Sequence, residues 1–375
     1  FISISWNGQN AHPFGPSGAT GGTLYLNDEP VTNVNFPSTM TQIKSYCLVR
    51  CKSITSVTIP SSITSIGEGA FLGCSNLTSI TIPSSVTVLG PNAFNGCTGL
   101  TSVTILGNVG RDYVTVFANC SSLEEFHFLG ISPSTDSNSQ WFNGCSSLTK
   151  LYFSDFARSM SLLPNSTSFY QQSIPFGYNS DTHYVYFDDV EVRDLIIPNT
   201  VTTIRAGACY RWNRLTSITI PSSVTTIGQK AFTECSSLVG TFIIPSTVTN
   251  LGADVPQGLT SLTNLYCYGG VGTTLNIASI ANTGDGTGVI YFAPTVSGSI
   301  GTNIRAKKLI IGGVYDTTNA QRLVVDTGSP VKDVRVLGDV YMANANSTVI
   351  GRFNSNALVN VEFFELLGKA ASNNV

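Results

Sequence analysis

Charged residues are scarce in this chain, at 11% of 375 residues, against about 25% in an average soluble domain. Serine, threonine, asparagine and glycine must therefore form much of the surface. Cations are not in surplus either, because 19 lysines and arginines stand against 22 aspartates and glutamates, which gives a net charge of -3. Binding to a nucleic-acid backbone needs an excess of positive charge. We therefore expect no nucleic-acid partner.

Long apolar runs are absent as well. The chain is 42% hydrophobic with a mean hydropathy of +0.17, but its apolar residues come in short runs, and a membrane-spanning helix needs about 18 of them in succession. The sequence therefore predicts no membrane span. Its first residue is Phe1 rather than an initiator methionine, and we expect any leader and anchor to lie outside this chain.

The chain contains a tandem repeat with a period of 23 residues. The segment IPSSITSIGEGAFLGCSNLTSITI, from Ile59 to Ile82, is followed by IPSSVTVLGPNAFNGCTGLTSVTI, from Ile82 to Ile105. One position of the repeat is occupied by Cys51, Cys74, Cys97, Cys120, Cys145 and Cys235. A unit of this length cannot bury its apolar face alone, so neighbouring units must stack as a solenoid.

Each unit contains one clear strand pattern. Leu77, Ile80 and Ile82 alternate with polar residues at the period of two that is typical of a half-buried strand, and Pro83 ends the strand because proline cannot donate to a ladder. The Ala-Phe-x-x-Cys piece has the i, i+3, i+4 spacing of about one helical turn, and we expect the glycine at 67, 90 or 228 to supply a turn. The fold prediction is a mainly β solenoid with short helical turns, whose coils of about 23 residues stack as a parallel sheet.

A longer duplication is superimposed on the repeat. The segment from Leu24 to Tyr46 aligns without a gap, at an offset of 161 residues, with the segment from Val185 to Gly207. The alignment places Asn-Asp-Glu-Pro in the first copy opposite Asp-Asp-Val-Glu in the second. We interpret both as tight connections between short strands, which makes Asp188 and Asp189 turn residues rather than a catalytic carboxylate pair.

The repeat divides the chain into three regions. Residues 1–23 are predicted to be an N-terminal tail or cap, because an open solenoid end must be covered. Residues 24–268 are the repeat region, with irregular coils at 154–184. Residues 269–375 lack the motif, and we predict either an irregular continuation of the solenoid or a separate C-terminal β-rich cap.

The unit IPSSVTxIGxxAFxxCxxLxSxTI resembles the BspA-type leucine-rich repeat of bacteria, over about residues 37–153 and 188–268. The resemblance implies a right-handed leucine-rich repeat solenoid on a secreted or surface-attached protein of a host-associated bacterium or a protist parasite. It also implies similarity to adhesins that engage host matrix proteins or neighbouring cells. We therefore expect an extracellular or cell-surface location.

Nine cysteines are an odd number, which in a secreted chain would suggest disulfides or a reactive thiol. Six of them occupy the same repeat position, where a free cysteine acts as a small buried hydrophobic residue. Cys47, Cys209 and Cys267 also fall at inward positions and are expected to be buried. Zinc sites need converging ligands with short spacings, and none is present, so we expect no metal ion.

One spot on the predicted outward sheet face is unusually polar and aromatic. Glu125 and His127 lie on one strand, with Lys150 and Tyr152 expected on the next coil and Tyr266 further along the same face. We predict that these five residues bind a partner, the alternative being solvated strand residues in cross-strand contact. Catalysis of this kind needs a nucleophile, a base and an orienting group together, and no such set occurs. We therefore expect no enzyme activity, no catalytic residue and no cofactor.

Three functions remain open from the sequence. The first is binding of a host or neighbouring-cell protein or glycan, because solenoids present long continuous surfaces. The second is a structural spacer or display module with no ligand of its own. The third is ice binding by the outward Ser-x-Thr ladder, although Glu125 interrupts that ladder.

Overall fold

A computed structural model of the chain describes residues 22–110, 115–130, 141–156, 183–268, 283–285 and 287–292. It also describes the backbone of five further strands: Leu275–Ile280, Val296–Ile300, Lys308–Ile311, Asp333–Val336 and Phe363–Leu366. Residues 1–21 of the predicted cap and most of the predicted irregular coils lie outside the described residues. The chain folds as two compact units, one of Phe1–Asn165 with Tyr170–Glu191 and one of Ser166–Phe169 with Val192–Val375.

The first unit is built from thirteen short strands in its described part. They are β1 (Tyr25–Leu26), β2 (Glu29–Pro30), β3 (Asn33–Asn35), β4 (Gln42–Ile43), β5 (Ser56–Thr58), β6 (Ser65–Ile66), β7 (Ser79–Ile82), β8 (Val88–Leu89), β9 (Ser102–Ile105), β10 (Glu125–Phe128), β11 (Lys150–Phe153), β12 (Tyr184–Phe187) and β13 (Val190–Glu191). The main sheet runs β7-β9-β10-β11-β12 in parallel, and β13 pairs antiparallel with β12. A second parallel row, β4-β6-β8, lines the other extended stretch of each coil.

The second unit repeats this arrangement. Its strands are β14 (Asp194–Ile196), β15 (Thr203–Ile204), β16 (Ser217–Thr219), β17 (Thr226–Ile227), β18 (Thr241–Ile244), β19 (Asn250–Leu251), β20 (Asn264–Cys267), β21 (Leu275–Ile280), β22 (Val289–Phe292), β23 (Val296–Ile300), β24 (Lys308–Ile311), β25 (Asp333–Val336) and β26 (Phe363–Leu366). The largest sheet has the order β18-β20-β22-β24-β25-β26 and is parallel throughout. The predicted parallel-strand leucine-rich repeat solenoid is confirmed, while the division at residues 23 and 268 stays a prediction.

The interior is organised in columns of equivalent residues. Phe71, Phe94 and Phe117 are each fully buried, one per coil, and their rings stack with centroids 4.9 and 5.3 Å apart. Burying a phenylalanine side chain contributes about 1.5–3 kcal/mol, and each ring pair adds about 0.5–1.5 kcal/mol. A repeat of constant length therefore produces a continuous core from the same few side chains.

The predicted short helical turns are wrong. In the first unit, the amide groups of Gly69, Phe71 and Gly73 donate to carbonyl groups of the next coil at 2.8–2.9 Å. The intervening amide of Leu72 instead donates to the carbonyl oxygen of Gly69 at 3.0 Å, which closes a four-residue turn. Since every second amide is committed to another coil, an α-helix cannot form, and no residue of these segments in the described coils is α-helical.

The conformation that permits this alternation is a pair of left-handed residues four positions apart. In successive coils the pairs are Tyr46 and Arg50, Gly69 and Gly73, Asn92 and Gly96, Thr115 and Asn119, Gly207 and Arg211, Lys230 and Glu234, and Asp254 and Gly258. A left-handed residue terminates a helical turn. The Ala-Phe-x-x-Cys spacing, which resembles that of a helical turn, thus comes from two bent turns. These turns direct the alanine, phenylalanine and cysteine side chains inward, as a helical turn would.

The repeat cysteine forms its own ladder between coils. The thiol groups of Cys74, Cys97, Cys120 and Cys145 donate to a carbonyl oxygen of the preceding coil at 3.0–3.2 Å. In the second unit, Cys235 donates to the carbonyl oxygen of Cys209 at 3.0 Å. Cysteine suits this position because it is small, apolar and a weak donor.

All nine cysteines are free, and eight of them are buried. The expectation of burial is wrong for Cys47, which is only half-buried. Burial raises the pKa of Cys145 and Cys235 to about 12, and it also raises the pKa of Cys47. The buried thiols therefore stay protonated at neutral pH.

The two predicted tight connections are confirmed as β-hairpins. Both have two-residue turns, in which Asn27 and Asp28 have φ angles of 54° and 65°, and Asp188 and Asp189 have φ angles of 47° and 63°. Strand β1 pairs antiparallel with β2, and β12 pairs with β13 in the same way. Two successive left-handed residues match the twist of a hairpin, and asparagine and aspartate tolerate that conformation.

Within the part of the chain that the structure describes, no helix has both the length and the apolar character for membrane passage.

The repeat glycine at positions 67, 90 and 228 begins a turn, as we expected, because its carbonyl oxygen accepts from the amide group three residues later at 3.3 Å. Its φ angle, however, is not left-handed. A Cβ atom at Gly90 would meet the backbone of the preceding coil at Glu68 N and, 2.6 Å away, at Gly67 C. At Gly96, which is left-handed with φ of +72°, the nearest atom would be 3.8 Å away. Gly90 is thus required by the close approach of two coils, and Gly96 is required by its backbone conformation alone.

We predict that Gly90→Ala destabilises the protein by about 3 kcal/mol or more, because two backbones must move apart. Gly96→Ala should cost only about 1–2 kcal/mol, the strain of one left-handed alanine. Denaturant unfolding followed by circular dichroism measures both. Equal losses, or the reverse order, would contradict the close packing of coils at Gly90.

We further predict that a water-soluble disulfide reagent at pH 8 modifies Cys47 first in the native protein, since the buried thiols are both shielded and protonated. After unfolding without reductant, the reagent should modify all nine thiols. The Cys47→Ser variant should lack the fast phase. Several fast thiols in the native protein, or fewer than nine after unfolding, would argue against this packing.

Candidate functional site

The sequence-predicted cluster lies on the outward face of two neighbouring strands. The parallel register of β10 and β11 places Glu125 opposite Lys150 and His127 opposite Tyr152, while the alternating Phe126 is fully buried. The structure therefore brings together the four residues predicted for the first unit. Their role in binding stays a prediction.

An ion pair joins Glu125 and Lys150. The ammonium group of Lys150 donates to Glu125 Oε1 at 2.6 Å, and His127 Nε2 lies 3.6 Å from Glu125 Oε2. Lys150 lowers the pKa of the Glu125 carboxyl, and Glu125 in turn raises the pKa of Lys150. The two side chains are 31% and 34% exposed, so the pair stabilises the fold by at most about 1 kcal/mol.

A column of stacked rings runs beside the ion pair. The ring centroids of His127 and Tyr152 are 4.0 Å apart with planes at 4°, and those of Tyr152 and Tyr186 are 4.4 Å apart with planes at 8°. Burial first, and then the negative charge of Glu125, raise the pKa of Tyr152. The column is a rigid aromatic surface whose side chains are ordered by one another.

Sequence reasoning missed Tyr186 as a member of this column. It lies on β12, in register with Tyr152, but the step from Lys150 to its register partner Tyr184 is 34 residues, beyond the regular period. The signal was present in the sequence Tyr184-Val185-Tyr186. Val185 is the buried residue of this alternation, so the two tyrosines take the outward positions, as Lys150 and Tyr152 do on β11.

The fifth predicted residue belongs to the second unit. Tyr266 lies on β20, between Ile243 of β18 and Tyr291 of β22. Its ring is 6.1 Å from that of Tyr268 and 6.1 Å from that of Tyr291. Tyr266 therefore belongs to a different unit from the other four residues. Its aromatic neighbours Tyr268 and Tyr291 were missed by the sequence interpretation.

The described residues supply donors, acceptors and ring surfaces rather than a metal centre. Among them, no group of three or more histidine, cysteine, aspartate and glutamate side chains could hold a metal ion. What the cluster can do is form hydrogen bonds and ring contacts with a partner over several strands.

The chain has detectable relatives among solved structures. A leucine-rich repeat protein from Bacteroides ovatus is 18% identical, with 92% of this chain and 69% of that protein covered and a TM-score of 0.34. The pneumococcal vaccine antigen PcpA is 17% identical over 90% of this chain and 80% of its own, with a TM-score of 0.42. A leucine rich cell surface protein from Faecalibacterium prausnitzii is 16% identical over 92% of both chains, with a TM-score of 0.24. A comparison with curated proteins finds no match.

The comparison with protein families gives a match over most of the repeat region. The BspA type leucine rich repeat region occurs in six copies at residues 21–149 and 181–285, which is more than half of the chain. The two matched segments contain both hairpins and the site strands β10 and β12, whereas β11 lies just outside them. The chain belongs to the family of BspA-type leucine-rich repeat proteins.

Proposed function

We propose that this protein is a non-enzymatic binding protein, secreted or held at a cell surface, that contacts its partner through the outward face of β10, β11 and β12. The partner is a protein or glycan of a host or of a neighbouring cell, and adhesion is the corresponding role. Family membership supports the binding function, because leucine-rich repeat solenoids present extended surfaces to large partners.

The single observation that carries the proposal is the column of His127, Tyr152 and Tyr186 beside the Glu125–Lys150 pair. Aromatic side chains that are already ordered lose little conformational entropy on binding, which is why they serve as anchors in interfaces. The ion pair adds little to stability, so the stability of the fold does not require these residue types. Contact with a partner does explain them.

Tyr266 supports a separate contact surface in the second unit. Its neighbours Ile243 and Tyr268 are 45% and 41% exposed, so apolar and aromatic surface adjoins Tyr266. We propose Tyr266 as a contact residue in its own right.

A structural spacer is the second candidate function, and one observation favours it. The hydroxyl groups of Thr55, Thr78 and Thr101 each donate to the carbonyl oxygen of the threonine of the preceding coil, at 3.1–3.3 Å. Exposed threonines that bond within the solenoid reinforce it as a rod and offer fewer donors to a partner.

We predict that the double variant His127→Ala, Tyr152→Ala weakens binding to a partner found on an array of host matrix proteins and glycans by about tenfold or more, as expected when interface anchors are removed. Its stability should fall by less than about 3 kcal/mol, the range for the two ring pairs that are lost. The matched control is Ser79→Ala, Thr81→Ala on β7 of the same sheet, which should leave the affinity within about twofold, since loss of an exposed hydroxyl group rarely exceeds that effect.

An interaction that the double variant leaves unchanged would remove this face from the proposal. Absence of any saturable partner at high protein concentration would favour the spacer.

A further inference from the structure

The negative charge of this protein is concentrated around the aromatic column. In the described residues 115–130, 141–156 and 183–191 there are six acidic residues and one lysine, a surplus of five negative charges. The whole chain carries only -3, so the remaining residues are net positive. The acidic residues are Glu124, Glu125, Asp155, Asp188, Asp189 and Glu191. The acidity is thus a property of the coils that carry the column rather than of the protein as a whole.

The one lysine does not offset this charge for an incoming ligand. Its ammonium group is held by Glu125 at 2.6 Å, so the pair is already neutral. The exposed carboxylates of Asp188 and Asp189 are carried by the two-residue turn that follows β12. After burial, the negative charges of Glu125 and, to the smallest extent, Asp189 raise the pKa of Tyr152, so the turn carboxylate lies near enough to act on this ring.

The aromatic column ends next to these carboxylates. Both faces of the Tyr152 ring are covered, by His127 on one side and Tyr186 on the other. Tyr186 is the last ring of the column among the described residues, and the residue opposite to it on the adjacent antiparallel strand is Glu191. A ring at the end of a stack beside several carboxylates is a place where a planar cation gains both ring contact and charge pairing.

We propose that this face binds an arginine-bearing segment of a partner protein, a proposal that rests on the binding function proposed above. The arginine guanidinium group is planar and always charged, stacks on aromatic rings, and forms paired hydrogen bonds with carboxylates. Lysine lacks the planar group, and a neutral glycan lacks the charge. The arginine side chain lies against Tyr186 and the edge of the column, and the carboxylates of the β12–β13 turn accept its hydrogen bonds.

The test uses the full 375-residue chain and a fluorescently labelled nona-arginine peptide, with nona-lysine and nona-glutamate peptides for comparison. The variant is Asp188→Asn, Asp189→Asn, because asparagine keeps the left-handed turn and removes two charges. The duplicated hairpin provides the matched control Asp28→Asn, Glu29→Gln, which removes the same two charges from the other hairpin of the first unit. Fluorescence anisotropy at two salt concentrations measures the affinities.

We expect the arginine peptide to bind more tightly than the lysine peptide and the glutamate peptide not to bind. The Asp188→Asn, Asp189→Asn variant should lose about fivefold or more in affinity, while the hairpin control should change by less than about twofold. The Tyr186→Ala variant should weaken binding of the arginine peptide more than that of the lysine peptide, and Tyr186→Phe should restore it.

Equal losses in the variant and the hairpin control would overturn the proposal, since they would show attraction to the whole acidic protein. Absence of arginine-peptide binding would overturn it too. If a partner from the array still depends on His127 and Tyr152 in that case, only the arginine preference fails and the proposed binding function stands. Failure of both experiments rejects the two together.

Discussion

Each coil of this protein depends on the next for the hydrogen bonds of its own backbone. In the strands this is the ordinary parallel ladder, but it extends to the turns, where Gly69 and Phe71 donate to carbonyl groups of the following coil. A buried backbone group without a partner is costly, so the coils must stay in one register. Every side chain is then placed above its equivalent one repeat earlier, and a repeat position in the sequence becomes a column in the structure.

The columns explain both the stability and the location of the candidate site. Inward columns of phenylalanine and cysteine form the core, and the cysteine thiol groups satisfy carbonyl oxygens that the turns expose. The outward residues are serine and threonine in β5, β7 and β9, and Glu125 and His127 replace them in β10. The register then continues this change into Lys150 and Tyr152, so the site is a place where several coils depart from the repeat together.

The strands, the cysteine position and the Glu125–Lys150 pairing could be predicted because they depend only on period and alternation. Both hairpins were predictable from the duplication. The turns were not, since two left-handed residues four positions apart give the same inward spacing as a helical turn. Tyr186 was missed because a step of 34 residues separates the strand pair that positions it, and the exposure of Cys47 depends on how fully neighbouring coils cover it.

The central claim is that the stacked rings of β10, β11 and β12 are a contact surface. Hydroxyl-radical footprinting with mass spectrometry, performed with and without a saturating partner, reads the exposure of individual tyrosine and histidine side chains. The account predicts that bound partner reduces oxidation of His127, Tyr152 and Tyr186 and leaves Tyr25 unchanged. Unchanged oxidation of these three rings, with protection elsewhere in the chain, would contradict it.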